Sequence, residues 1–234
     1  MHNNHLCTLF SLLLLLCGIT PMSAQEIEAP NYDLIRQQIS NSRSASYYPL
    51  LMQRFQQCDT TLTLEDYRNL YFGFALREDY IPYQKPGEAV LEARARMALS
   101  KADTVCCPAA LQTALSTLQD NPFDLPALSL IPICYYQLGD MENYHLWDSK
   151  LHGILDAIGS TGDGESAETA FHVINVEHEY EIINRLGLEL DQVEVVNHQI
   201  DFVRVKQMND SVLGIYFNYG IASQLFSSKY ADSK

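Results

Sequence analysis

Between Leu62 and Leu76 the chain reads LTLEDYRNLYFGFAL, and its large apolar residues Tyr67, Leu70, Tyr71 and Phe74 recur at i, i+3, i+4 and i+7. That spacing lines one face of an α-helix and predicts a neighbour for the face to pack on. Thr63 stands at the N-cap position with Asp66 at N3, and Leu62 and Tyr67 occupy the two staple positions. Leu91 to Leu99 and Ala109 to Leu118 also read as helices, and Pro108 in TVCCP suits the opening of the second. From Ser166 to Leu186 no Gly or Pro interrupts the chain, and Gly187 follows at once, so a helix is predicted over 166–186. Glu168, His172, Asn175 and Glu179 then fall within about 60° of one another and form a polar, solvated stripe, on which nearby carboxylates would raise the pKa of His172. Glu177 and Glu181 fit less well, because they project near Ile174 on the apolar side.

Beyond Gly187 the period changes to two. Ile200, Phe202 and Arg204 alternate with Asp201, Val203 and Val205, MND supplies a turn, and Leu213, Ile215 and Phe217 share a face. This predicts a β-hairpin over about 195–218 that needs a helix layer beneath it, followed by a short helix over 221–228.

The run NPFDLPALSLIPICYYQLGDMENYHLWDSKLHGILDAI, from Asn121, resembles one tetratricopeptide repeat. Large residues stand at Leu128, Ile131 and Tyr135, Gly139 and Asp140 form the turn, and Trp147 and Leu151 lie on the second helix. Pro132 replaces the small residue expected where the helices touch, and Tyr144 stands where alanine is usual. About one and a half such units occur without a sustained period, so a helix hairpin is expected and not a solenoid. The fold class predicted is α+β: mainly α-helical, with tetratricopeptide-like antiparallel helix pairs and a C-terminal β-hairpin packed on helices.

Residues 1–24 contain no Asp, Glu, Lys or Arg, and Phe10 to Ile19 is an almost unbroken apolar run before Pro21 and MSA. This predicts a signal peptide over 1–24, cut after Ala24, although His2 and His5 stand where basic residues are usual. Leu16 is too bulky before Cys17 for a lipoprotein site. The chain is expected to be exported, to the periplasm or cell surface, with 25–234 as a single α+β domain, helical over 30–186 and without a transmembrane segment. A net charge of −14 and a pI near 4.7 argue against nucleic acid and anionic membrane surfaces as partners. Cys58, Cys106, Cys107 and Cys134 remain after the leader, too few for a disulfide scaffold and without a C-x-x-C, so free thiols, with at most one bridge, are expected.

The chemical candidates concentrate in GDGESAETAFHVINVEHEYEII, Gly162 to Ile183. The preceding GSTGDGES imitates a phosphate loop but has Glu165 in place of the lysine, and a calcium loop would need more than Asp163. HEYEI from His178 ends in Ile182 where H-E-x-x-H requires its second histidine. His172 and His178 would lie ~20 Å apart on a strand, or ~9 Å along a helix and about 120° around it. Neither arrangement chelates one ion, so no metal and no cofactor is expected.

YYPLLMQRF, DTTLTLEDYRNLYFGFA, NPFDLPAL, LHGILDAIGSTGDGESAETAFHVINVEHEYEIINRLGL and GIYFN together resemble a bacterial family of exported proteins described as a domain of unknown function, number 4919. The resemblance covers roughly residues 30 to 220 and implies export and a helical plan with a terminal β element. It implies no reaction, substrate or catalytic residue. Cys58 stands where a glycine before DTTLT is usual in that likeness, which puts a tight turn there in question.

Two functions follow as expectations. The first is a non-enzymatic envelope protein that binds a protein, peptide or glycan on its helix-pair surfaces, through Tyr71, Tyr135 and Trp147. The alternative is a hydrolase-type enzyme drawing on Asp163, Glu168, His172, His178 and Glu179.

Overall fold

The computed structural model describes residues 27–99, 104–206 and 214–230. The expected signal peptide, the MND turn and Leu213 lie outside them. Seven helices come first: α1 (Tyr32–Ser40), α2 (Tyr48–Gln56), α3 (Leu64–Phe74), α4 (Glu88–Leu99), α5 (Cys107–Asp120), α6 (Leu125–Leu138) and α7 (Met141–Gly159). A short strand β1 (Phe171–His172), α8 (Glu177–Arg185), three strands β2 (Leu190–Asn197), β3 (Ile200–Val205) and β4 (Gly214–Asn218), and α9 (Gly220–Tyr230) follow. The described residues are mainly helical with one small sheet.

Local chemistry accounts for the helix starts. Thr63 and Asp66 exchange the two hydrogen bonds of a capping box at α3, and Asn31, Asp124 and Asp140 accept from backbone N–H groups at the starts of α1, α6 and α7. Each such cap stabilises by about 1 kcal/mol. Gly139, left-handed at φ 75°, ends α6 and lets α7 turn back against it. Helix α6 is buried on every side from Leu125 to Pro132, as a segment apolar all round must be, while Ile133, Tyr136 and Leu138 are exposed toward its end. One cluster, with Val90, Ala114, Leu130 and Ile131, packs it against α4 and α5, while the main core gathers Phe55, Leu70, Tyr71, Phe123 and Leu151 with Val203 and Phe217 of the sheet.

The sheet has the order β1-β4-β3-β2. β3 and β4 form the expected antiparallel pair, with Val203 opposite Ile215, and their buried positions alternate along each strand. Asp201, Val203 and Val205 form the inward face of β3, which therefore carries a buried acid. β2 adds an edge strand that sequence reasoning missed.

The predicted helix over 166–186 does not form. Asp163 Oδ1 accepts from the Glu165 N–H and the Thr169 hydroxyl, and the N–H groups of Asp163 and Gly164 donate to Thr169 O, closing a compact loop. Thr169 O comes so near Gly162 that a Cβ there would lie 2.1 Å from it. The chain then runs extended, pairing Phe171 with Phe217 and His172 with Asn218 in parallel, and only at Glu177 does a helix begin. Pairing with β4 outweighs local helix propensity here.

No disulfide joins Cys58, Cys106, Cys107 or Cys134 among the described residues. Cys58 completes a tight turn at φ 54°, with its N–H on Phe55 O and that of Asp59 on Arg54 O, so the turn forms without glycine. A left-handed conformation costs a β-carbon residue roughly 1–2 kcal/mol, partly offset by its stiffer unfolded chain. Cys58→Gly is therefore expected to stabilise the protein by about 0.5–1 kcal/mol, read as a higher midpoint in urea unfolding. An unchanged or lower midpoint would contradict strain at this turn.

A pocket between two helices and a strand

The residues singled out in Gly162 to Ile183 go to different places. Asp163 and Glu168 are exposed on the loop, and the Asp163 carboxylate is held below its ordinary pKa by the Thr169 hydroxyl and the Glu165 N–H it accepts from. His172 sits on the edge strand, its N–H on Thr161 Oγ1. Burial first, and the Arg68 guanidinium second, push its pKa down to about 4, the reverse of the rise expected on a solvated helix. His178 is a core residue: the Tyr71 hydroxyl donates to its Nδ1 at 2.7 Å while accepting from the Ile174 N–H. Its remaining hydrogen bond goes to the Phe123 backbone, and burial holds its pKa down to about 3. The ring is a satisfied polar link between α3, α8 and the loop before α6.

Glu179 is different. It is 1% exposed, and its carboxyl makes no hydrogen bond and no ion pair among the described residues. Burial, then Asp201, then Glu177 push its pKa up to about 9, so it is a neutral acid at pH 7. Asp201, 7% exposed on β3, is also raised by burial; its carboxyl bonds the Tyr219 hydroxyl and leaves Oδ1 unpartnered. The polar stripe predicted on a solvated face is thus split between loop, strand and core, with Asn175, His178, Glu179 and Glu181 all buried. Among the described residues no three His, Cys, Asp or Glu side chains are grouped to hold a metal.

The expected binding aromatics turn inward as well. Tyr71 is 0% exposed and presents no surface to a partner. Trp147 is half-buried over Lys150, whose Nζ lies 4.2 Å from the ring centres of both Trp147 and Phe55. Lys150 is 5% exposed, and burial brings its pKa down to about 8. Tyr135 is half-buried on α6.

A concavity of about 280 Å³ opens where α7, α8 and β1 meet. His152, Leu155, Ile158 and Gly159 line it from α7, Phe171 from β1, Ile182 and Arg185 from α8, and Leu186 from just beyond its end. Its wall is aliphatic and aromatic, and its charged side chain is Arg185. His152 Nδ1 lies 2.8 Å from Asp148 O and 3.3 Å from the Asp148 carboxylate, so Nδ1–H donates to that carbonyl and Nε2 is left free. Sequence reasoning missed this pocket. A faint signal existed in His152, Leu155 and Gly159 and in Ile182, Arg185 and Leu186, which recur at helical spacing. Two residues of the stretch first suspected, Phe171 and Ile182, do line it, and its histidines do not.

The fold and pocket define a mainly helical α+β protein with a small apolar cleft beside a four-stranded sheet. The chain belongs to a family described as a domain of unknown function (DUF4919), whose model matches residues 33–225. No curated protein and no solved structure matches it.

Proposed function

We propose that this is an exported, non-enzymatic binding protein of the cell envelope, which captures a peptide or protein by seating an apolar side chain in the pocket between α7, α8 and β1. The pocket carries the reading: it is open, apolar and small, of the size for one side chain and below that of a drug-like ligand. The apolar run from Phe10 to Ile19 supports export. Tyr135 remains a half-exposed neighbour for a partner, whereas Tyr71 does not. The hydrolase alternative has little support, because Asp163, Glu168, His172, His178 and Glu179 do not converge.

Gly159 offers the test. It lines the pocket near the end of α7, and a Cβ added there meets nothing within 4 Å. Gly159→Leu should fill the cleft while gaining roughly 0.5–1 kcal/mol of helix propensity. Peptides selected by display against the protein are expected to share an apolar anchor and to bind Gly159→Leu at least tenfold more weakly. Selected peptides that bind both proteins equally would refute the pocket as the docking site.

A further inference from the structure

We infer that the pocket reads a carboxylate attached to its apolar guest, the arrangement offered by the C-terminal residue of a peptide, with Arg185 as the anion partner and His152 beside it. This rests on the pocket reading above and names the ligand class for it. Leu155, Ile158, Phe171, Ile182 and Leu186 offer a guest no hydrogen bond from their side chains, so any polar group it carries must stay at the mouth. Two polar side chains stand there. Arg185, exposed at the end of α8, makes no ion pair or hydrogen bond through its guanidinium among the described residues. Among the described arginines only Arg43 shares this, whereas Arg54, Arg77, Arg94 and Arg204 are each paired with a carboxylate in a chain of net charge −14.

His152 is oriented by its neighbour. With Nδ1–H donated to the Asp148 carbonyl, the ring is fixed and Nε2 is the nitrogen left for a ligand. No Asp or Glu lines the pocket, so nothing within it neutralises Arg185 or repels an incoming carboxylate. A planar carboxylate matches the guanidinium fork. A doubly charged phosphate would meet stronger repulsion from a chain of net charge −14.

The probes are acetyl-Ala-Ala-Phe as the free acid and as the C-terminal amide, with octanoate and octanamide as the small-molecule pair, titrated calorimetrically into the wild type, Arg185→Gln and Gly159→Leu. The expected result is that the free-acid peptide binds about tenfold more tightly than its amide, that Arg185→Gln reduces this ratio to about one, and that Gly159→Leu weakens both at least tenfold. Equal binding of acid and amide overturns the carboxylate inference and leaves the apolar pocket standing. Octanoate binding without peptide binding upholds the carboxylate site but overturns the peptide as its source. Binding by none of the four probes overturns both readings together.

Discussion

Folding stability is expected to fall by about 1 kcal/mol between pH 6.5 and 8 in the wild type, a loss of about 2 kcal/mol at Glu179 being partly offset by His172, His178 and Lys150, and Glu179→Gln is expected to abolish that fall. Folding carries Glu179 from an ordinary pKa of 4.5 up to about 9. In this window the folded state keeps a proton that the unfolded chain has lost. Stability therefore decreases as pH rises, by about 1.4 kcal/mol per unit for one proton, until the folded pKa is reached. Asp201 and Glu177 are raised as well and act in the same direction, which is why the comparison with the variant is needed to isolate Glu179.

The window is bounded by groups of opposite sign. Below pH 6.5, His178 and His172, depressed to about 3 and about 4, take up protons in the unfolded chain but not in the fold, and acid then destabilises. Above pH 8, Lys150, depressed to about 8, stays charged only when unfolded and offsets the loss from Glu179. A stability maximum near pH 6.5 follows. Urea unfolding of both proteins at half-unit intervals measures it, and an unchanged slope between pH 6.5 and 8 in Glu179→Gln would show that Glu179 is not the group responsible.

What was legible in the sequence was local. The Thr63 and Asp66 box, the Gly139 and Asp140 turn, and the alternation of β3 and β4 depend on residues within a few positions of one another, and each formed as read. β1 was illegible because its partner Phe217 lies far along the chain from Phe171 and two residues carry no period. β2 is mostly exposed on both faces, so edge exposure hid the alternation that marked β3. Histidines and glutamates drew attention to Gly162–Ile183, yet burial decided their chemistry, and burial depends on Val203, Phe217 and Phe123 from other elements. The pocket is assembled from ordinary apolar residues of three elements, none of them notable alone.

The α3–α7 contact lies at a small residue that was not singled out. Tyr67, 6% exposed, lays its ring over Gly153, so a Cβ at position 153 would lie 2.2 Å from Cζ and 2.3 to 2.5 Å from the adjoining ring carbons. The ring cannot swing aside into solvent, because Phe55 meets it edge-on with centroids 6.3 Å apart. Gly153→Ala is expected to cost about 2–3 kcal/mol despite the helix propensity it gains, and Gly153→Leu to prevent stable folding. A smaller residue on α3 should relieve the clash, so Tyr67→Leu combined with Gly153→Ala should be less destabilised than the sum of the two single changes. Strict additivity in urea unfolding would show that the helices part at Gly153 and that the contact does not set their spacing. Because α7 also carries His152, Leu155 and Ile158 into the pocket, Gly153→Ala should weaken ligand binding as well as folding, and adding Tyr67→Leu should recover part of the binding.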